Sequence, residues 1–403
     1  MRTFVQYGTG NIGRSLMGQL FSRAGYEVIF IGRNQRIIET LNREGRYLVE
    51  VKDEQPDEIW VEHVRGILAS DRDRVIETIA RADLIATAVG PNSLPQLYDV
   101  IAAGILKRSQ PLNILICENL RWMSRIFRAG LLPYLPADYP FDERVGLIET
   151  SIGKMVPIMP EEIQRAHPTR IWAEAYNLLL VDKRGFVGEI PQVEGMIAKA
   201  NFDACVDQKL FVHNLGHATI AYLGYLMEPS NPFIWKAISH PAVEQVVRGA
   251  MWESANALID EYPGEFTTQT QHTHIEDLIR RFKNQFLNDT LYRVGRDLPR
   301  KLGPDERLVG AAKMALKHRI PPRHIALAIA AGFRFRATDE RGELFDGDRL
   351  FHAELVRRGL PALLQTVCSL DSQQDRALIE LIERSDTMLR ERKTSVDLSH
   401  LLE

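Results

Sequence analysis

The stretch DQKLFVHNLGH, residues 207–217, places three polar side chains able to do chemistry within an otherwise apolar segment: Lys209, Asn214 and His217. Removing such groups from water costs free energy unless each has a partner or a task. Oxidation of a secondary alcohol needs a base, a neutral donor for the developing alkoxide, and a group that holds the substrate. Lysine can be that base only where burial lowers its pKa from about 10.4 towards about 7–8.

Helical geometry would bring these three side chains onto one side of the segment. At about 100° per residue, His217 lies about 80° and Asn214 about 140° from Lys209. Bulky apolar residues occupy the opposite arc: Phe211, Val212 and Leu215. His213 falls in the polar arc as well, so it stays a candidate for the same site.

Two other interpretations of this segment compete with a dehydrogenase site. His213 and His217 are four residues apart, as in zinc-binding helices, but the residue after His213 is asparagine and no third ligand lies nearby. We therefore expect no metal. The structural alternative is a helix with one lysine that reaches the surface and with histidines that are satisfied inside a core.

The elements that must position these residues form two patterns along the chain. Short apolar runs alternate with helical patterns in the first half, as in a parallel sheet buried on both faces: TFVQYG, EVIFIG, DLIATAVG, LNILICEN and RVGLIETS. A further pair of strands is expected within 47–68. Amphipathic helices then dominate. The sequence predicts an α/β Rossmann-type domain with a mostly parallel, doubly wound sheet over 1–195, and a mostly α-helical substrate domain over 196–403.

Glycines in VQYGTGNIGRSL indicate dinucleotide binding. They have the G-x-G-x-x-G spacing directly after a strand and at the start of a helix, where the first permits a tight turn, the second a close pyrophosphate and the third close packing. The free N–H groups of the helix N-terminus would face the phosphates. The cofactor-binding candidates are Gly8, Thr9, Gly10, Asn11, Ile12, Gly13, Arg33, Asn34 and Val89.

The end of the second strand bears on which nicotinamide cofactor is used. NAD-binding proteins usually have Asp or Glu there, whereas FIGRNQ places Gly32 and Arg33 at this point. A guanidinium can bind a 2′-phosphate, so the sequence favours NADP over NAD. In the alternative, Arg33 stacks on adenine and Asn34 contacts the ribose of NAD. FAD is disfavoured because the helical half lacks the patterning of a flavin domain.

Composition narrows the class of protein and its partners. The 403 residues are 45% hydrophobic and 26% charged with a net charge of −3, which is typical of a globular protein and leaves no basic footprint for nucleic acid. From the sequence we expect neither a signal peptide nor a membrane span, and three scattered cysteines suit a reducing cytoplasm. The expected partner is a small molecule, with the chain a monomer or small homo-oligomer.

Several stretches together resemble the long-chain polyol dehydrogenases, the mannitol dehydrogenase family. They run from residue 1 to about 335: YGTGNIGRSLMG, TAVGPNSLPQL, PLNILICENL, KLFVHNLGH, GHATIAYLGYL and RVGRDLPRKLGPDERL. The resemblance is greatest to the branch that interconverts mannitol 1-phosphate and fructose 6-phosphate, and it implies metal-independent hydride transfer. It also implies that Lys209 is the general acid/base, that Asn214 and Asn119 stabilise the oxyanion, and that His217 contacts substrate.

Basic residues of the second half are the candidates for binding the substrate. Arg293 and Lys301 match substrate-binding positions of the resembled family, while Arg293, Arg296 and Arg300 have helical spacing and can share a cationic face for a phosphate. Pro299 indicates that a helix could begin or end within this stretch. The alternative is a solvated basic face on the outside of a helix. Lys154, near the end of the first sheet, completes the set of substrate-binding candidates.

Two departures from the resembled family leave the substrate open. Its Ser-x-x-Asp-Arg-x-x-Pro signature is replaced by TSIGKMVP, where Gly153 and Lys154 stand, and its aspartate is missing from IGRN. An unphosphorylated polyol or a hexuronate such as tagaturonate is therefore an alternative substrate. A nucleotide-sensing protein that has lost turnover is a third hypothesis.

Overall fold

The computed structural model describes residues 1–157 and 159–391 and divides them into two compact units. The first unit is Met1–Cys205 and the second begins at Val206, so the division lies ten residues after the predicted boundary. The reason for the difference is a strand, Met196–Lys199, which pairs with the sheet of the first unit. No helix among the described residues is long and apolar enough to cross a membrane.

The first unit contains all the strands of the described chain. They are β1 Arg2–Tyr7, β2 Tyr26–Gly32, β3 Arg46–Val51, β4 Asp57–Glu62, β5 Val64–Leu68, β6 Leu84–Thr87, β7 Leu112–Ile116, β8 Val145–Ile152, β9 Ile171–Ala173, β10 Leu179–Asp182 and β11 Met196–Lys199. The helices are α1 Gly18–Arg23, α2 Gln35–Glu44, α3 Arg72–Arg81, α4 Tyr98–Leu106, α5 Met123–Leu131, α6 Phe141–Arg144 and α7 Glu161–Ala166. A π-helical turn, Gly13–Met17, leads into α1.

The main sheet has the order β11-β10-β8-β7-β6-β1-β2-β5. All its neighbours are parallel except β10 and β8. Successive residues of β1 enter different cores, because Phe4 packs in one apolar cluster and Val5 in the other. This burial of both faces explains the continuous apolar runs of the sequence and confirms the predicted Rossmann-type domain.

The expected pair of strands within 47–68 is in fact three strands. β3 and β4 form a small sheet with β9, whereas β5 joins the edge of the main sheet. His63 separates β4 from β5 with a φ of 56°, a left-handed conformation that ends one strand before the other begins. Nothing in the alternation of apolar residues marks this single-residue break.

The second unit is helical, as predicted. α8, Phe202–Gln208, contains the division between the units, and a π-helical turn, Lys209–Asn214, follows it. The other helices are α9 Leu215–Met227, α10 Ile234–Ile238, α11 Pro241–Glu261, α12 Thr268–Phe282, α13 Leu291–Gly295, α14 Leu298–Lys301, α15 Val309–Lys317, α16 Arg323–Arg334, α17 Asp346–Thr366 and α18 Arg376–Glu391. α9 is apolar on all sides and contacts α10, α11, α13 and α16, which makes it the central helix of this unit.

Candidate active site

The glycine loop of the first unit has the geometry that a dinucleotide requires. Gly8 has a φ of 110°, and a Cβ there would lie 2.3 Å from the carbonyl oxygen of Ala88. At Gly13 a Cβ would lie 2.4 Å from the carbonyl oxygen of Gly8. A Cβ at Gly10 would come no nearer than 4.0 Å to its surroundings, so the backbone there is open to a ligand. The loop is thus closed where the chain packs on itself and open where a pyrophosphate would approach.

Arg14 fixes this loop, a role that the sequence did not reveal. Its buried guanidinium donates to the carbonyl oxygens of Thr9 at 2.9 Å, Pro168 at 3.0 Å and Arg170 at 3.2 Å. Burial lowers the pKa of Arg14 from its ordinary value. The arginine therefore ties the glycine loop to the segment before β9 rather than pairing with a carboxylate.

A cavity of about 380 Å³ lies beside the glycine loop within the first unit. Its polar lining comes from three segments: the glycine loop and the π turn after it, the start of α2, and α7 with the residues that follow it. The polar residues include Asn11, Arg14, Asn34, Arg36, Glu161, Arg165 and Arg170. The volume suits part of a dinucleotide, and four arginines against one carboxylate suit an anionic one. These residues therefore fit the adenosine end of a nicotinamide dinucleotide.

The end of β2 carries the two residues that bear on cofactor choice. Arg33 is exposed, and Asn34 caps α2 by accepting a hydrogen bond from the Ile37 N–H at 3.2 Å. The Thr9 side chain lies over Gly32, since a Cβ at Gly32 would be 2.6 Å from its Cγ2. A carboxylate could replace Gly32 only if Thr9 moved.

Glu118 organises the turns at the ends of β6 and β7. Its two carboxylate oxygens accept hydrogen bonds from the backbone N–H groups of Val89 and Gly90, both at 2.9 Å. Burial raises the pKa of Glu118, and these two hydrogen bonds oppose the rise. Val89 is thereby held by its backbone. Asn119 follows as an exposed residue beyond the carboxyl end of β7.

Lys154 is buried beside the backbone that leads into β10. Its ammonium donates to the carbonyl oxygens of Glu174 at 2.9 Å and Tyr176 at 2.8 Å, and to Asn177 Oδ1 at 3.2 Å. Gly153 leaves room for the Tyr176 ring, which would lie 3.4 Å from a Cβ at this position. Lys154 thus orders the chain after β8.

The π-helical turn of the second unit changes the predicted arrangement of Lys209 and Asn214. In a π turn the residue at i+5 stands one turn from residue i, so Asn214 lies above Lys209 rather than about 140° round the helix. The angle expected from an ideal α-helix was wrong for this pair, because one extra residue fits into the turn. Such turns occur frequently at functional sites.

The surroundings of Lys209 disfavour its charged form. Burial, and then the positive charge of Arg307, lower its pKa to about 8. Arg307 precedes α15, and α15 packs closely on the π turn that carries Lys209. A Cβ at Gly310 of α15 would lie only 2.8 Å from Cε1 of Phe211 in that turn. With a pKa of about 8, about one tenth of Lys209 is an uncharged amine at pH 7, far more than for a lysine in water.

His217 is fixed by a ring and a carboxylate. Its imidazole stacks on Phe282 with centroids 4.8 Å apart, and its Nε2 lies 3.4 Å from Oδ2 of Asp289. Burial lowers the pKa of His217, while Asp289 opposes that change. His213 is buried against the edge of Phe282, and burial together with nearby positive charges holds its pKa well below the ordinary value. His213 is therefore a neutral residue of the core.

Within residues 1–157 and 159–391, no group of three His, Cys, Asp or Glu side chains is placed to bind a metal ion. The three cysteines of the chain, Cys117, Cys205 and Cys368, are buried and form no disulfide.

The basic residues predicted at 293–301 do not share one helical face. α13 ends at Gly295, and Asp297 has a φ of 73° before Pro299 stands in the first turn of α14. Arg293 donates to Asp289 at 2.6 Å, Arg300 pairs with Asp297 and Glu306, and Lys301 donates to the carbonyl oxygens of Val294 and Arg296. The Arg296 guanidinium lies over the rings of Tyr292 and Phe345.

Comparison with known proteins identifies the family. The model of the mannitol dehydrogenase Rossmann domain matches residues 2–195, and that of the mannitol dehydrogenase C-terminal domain matches residues 201–384. The chain belongs to the mannitol dehydrogenase family. This membership confirms the resemblance seen in the sequence and the expected enzyme class, a polyol dehydrogenase that uses a nicotinamide cofactor. The family indicates NAD(H), whereas the sequence favoured NADP over NAD.

Individual members of the family show how far the likeness extends. A mannitol-1-phosphate 5-dehydrogenase of Bacillus licheniformis is 33% identical over 94% of this chain and 98% of its own. One from Brevibacillus brevis is 34% identical over 82% of this chain and 85% of its own. The structure of Pseudomonas fluorescens mannitol 2-dehydrogenase with NAD and D-mannitol superposes with a TM-score of 0.76 at 14% identity, covering 100% of this chain and 94% of that one. That last similarity shows the fold.

Proposed function

We propose that this member of the family interconverts a sugar alcohol and a ketose with Lys209 as the general acid/base. The observation that carries the proposal is the lysine itself, whose pKa burial and Arg307 lower to about 8 on a π turn shared with Asn214. A lysine with that pKa can accept a proton in one direction and donate it in the other at physiological pH.

Each residue of the set has a distinct task in this proposal. Lys209 takes the hydroxyl proton during alcohol oxidation and returns it during ketone reduction. The Asn214 amide donates to the oxygen as negative charge develops there, and Asn119 is proposed as a second amide donor. His217 holds a substrate hydroxyl. The nicotinamide, when bound, supplies the hydride acceptor or donor.

We propose mannitol 1-phosphate and fructose 6-phosphate as the substrate pair. Support comes from two relatives, 33% and 34% identical, that are named mannitol-1-phosphate 5-dehydrogenase. Among the basic candidates, Arg296 differs because its guanidinium lies over two aromatic rings, those of Tyr292 and Phe345. It is therefore the residue we propose for the phosphate, with Arg293 as a second candidate contact.

A second candidate substrate follows from how the other cations are used. Arg293 and Arg300 already pair with carboxylates, while Lys154 and Lys301 donate to backbone carbonyls. This leaves less positive charge for a phosphate than the sequence suggested. An unphosphorylated polyol or a hexuronate such as tagaturonate is accordingly the alternative.

A panel of substrates distinguishes these candidates. We expect kcat/KM for fructose 6-phosphate to exceed that for fructose by about 100-fold, because two charge-assisted hydrogen bonds to phosphate contribute about 3 kcal/mol. The measurement is cofactor oxidation with fructose 6-phosphate, fructose and tagaturonate. Equal rates on fructose, or preference for tagaturonate, would contradict the phosphorylated substrate, and absence of turnover on all three would favour a nucleotide-sensing protein.

We further propose that NADP(H) is preferred over NAD(H). The support is the absence of a carboxylate at Gly32, the exposed Arg33 that follows it, and the arginines of the adjacent cavity. In the NAD alternative, Arg33 stacks on adenine and Asn34 contacts the ribose. Running the substrate panel with NADPH and with NADH compares the two, and a higher kcat/KM for NADH would contradict the proposed preference.

A further inference from the structure

Asp289 is a buried carboxylate between two residues proposed to bind substrate. It is 6% exposed. Its Oδ1 accepts a hydrogen bond from Nε of Arg293 at 2.6 Å, and its Oδ2 lies 3.4 Å from Nε2 of His217. Both Oδ2 and Nε2 are fully buried and have no formed hydrogen bond to any described residue. Burial alone would raise the pKa of Asp289, but His217 and Arg293 hold it below its usual range, so the carboxylate stays ionised.

The backbone fixes the position of this carboxylate. The carbonyl oxygen of Asp289 accepts from the N–H of Ile234 at 2.9 Å, and the N–H of Leu291 donates to the carbonyl oxygen of Pro232 at 2.8 Å. The next residue, Thr290, caps α13 by accepting from the N–H of Arg293 at 3.2 Å. The backbone at Asp289 and at the two residues after it is therefore held by hydrogen bonds, which fixes the position from which the Asp289 side chain extends.

A fixed carboxylate determines which nitrogen of His217 carries the proton. An ionised carboxylate only accepts hydrogen bonds, so an N–H is favoured at the imidazole nitrogen that lies 3.4 Å from it, even though the contact is longer than a formed hydrogen bond. Phe282 stacks on the ring with an interplanar angle of 22°, which resists a rotation that would turn Nε2 away from Asp289 and put a ring carbon in its place. Nε2 then bears the hydrogen, and Nδ1 has a lone pair available to accept from a hydroxyl.

We propose that Asp289 is a positioning residue that holds His217 in the Nε2–H tautomer and so presents Nδ1 as the acceptor for a substrate hydroxyl. The same carboxylate orients the Arg293 guanidinium. Asp289 therefore positions both proposed substrate contacts, His217 and Arg293. This inference rests on the proposed function, in which His217 binds the sugar. It adds that the sugar must donate a hydrogen bond to His217, which a carbonyl oxygen cannot do.

The experiment reads the tautomer directly and without substrate. In the wild-type enzyme labelled with ¹⁵N-histidine, assigned through a His217→Gln variant, we expect the His217 signals of an Nε2–H imidazole. Asp289→Asn is close in size, and its amide can donate to Nε2. We therefore expect this variant to shift His217 towards Nδ1–H and to raise KM for the sugar about tenfold, with KM for the cofactor unchanged.

Asp386→Asn is the matched control. Asp386 is another buried carboxylate of the second unit, 7% exposed, and it pairs with Arg334 and Arg390. We expect its variant to leave the His217 tautomer and the sugar KM at wild-type values. Equal losses in both variants would overturn the inference, because they would indicate a general loss of stability.

Two further outcomes separate this inference from the proposed function. An Nδ1–H tautomer of His217 in the wild-type enzyme overturns the inference even if Asp289→Asn does not fold, and it leaves the role of Lys209 intact. A second check uses the His217→Gln background, where adding Asp289→Asn should raise the sugar KM by less than twofold. A full tenfold increase there would overturn the inference, because Asp289 would then act independently of His217.

Discussion

Replacing Lys209 with alanine is expected to lower kcat by about 10²- to 10⁴-fold in both directions of the reaction, the range typical of a lost general acid/base. The amine is the group whose pKa burial and Arg307 lower to about 8, so its loss removes the proton acceptor for oxidation and the donor for reduction. Rates measured at saturating substrate and cofactor test the expectation. The glycine loop lies in the other unit, so cofactor affinity, followed by fluorescence titration, should stay within about twofold of the wild type.

Lys317→Ala is the matched control for that variant. Lys317 is an exposed lysine at the end of α15 in the same unit and pairs with Glu261. An exposed pair of this kind contributes little to stability, so this variant should retain wild-type kcat. Turnover by Lys209→Ala within a few-fold of the wild type would contradict the assignment of the base.

Replacing Asn214 with alanine is expected to lower kcat by about 10²- to 10³-fold, the loss associated with one donor of an oxyanion site. Its amide serves an oxygen whose charge grows in the transition state, so kcat should fall more than KM rises. Among the described residues its side chain makes no capping hydrogen bond to α9, so the substitution should not unfold the helix. Steady-state kinetics with thermal unfolding as the fold control measures both.

Asn256→Ala supplies the comparison for the amide. Asn256 is exposed within α11, and alanine favours a helix more than asparagine does, so this variant should keep its activity and its stability. If Asn214→Ala raised KM with kcat unchanged, Asn214 would bind the ground state and would not stabilise the alkoxide.

The architecture could be predicted from the sequence because buried positions of strands and helices give recognisable patterns of apolar residues. Five apolar runs became β1, β2, β6, β7 and β8, and helical spacing after the sheet indicated helices such as α11 and α16. The glycine spacing was equally informative, since Gly8 and Gly13 occupy positions where a Cβ would collide with backbone. Patterns repeated over several residues were therefore reliable guides.

Features that depend on one residue or on tertiary packing were not predictable in the same way. The π turn at Lys209 adds a residue without changing the apolar pattern. The left-handed Asp297 breaks the expected basic face, and only Pro299, two residues later, indicated a helix boundary there. Arg307 approaches Lys209 through packing of α15 on the π turn, which no local spacing encodes. Asp289 did leave a signal, because an acid four residues before Arg293 is the spacing of a helical ion pair.

The pH dependence of the wild-type enzyme tests most directly the claim that Lys209 works as a partly uncharged amine. Oxidation requires the free amine, so log kcat/KM for the alcohol should rise with pH and level off above a midpoint near 8, where burial and Arg307 place the pKa of Lys209. Reduction requires the ammonium, so log kcat/KM for the ketose should fall above the same midpoint. A profile without an ionisation near 8, or one with a midpoint at about 10.4 as for an ordinary lysine, would contradict the account.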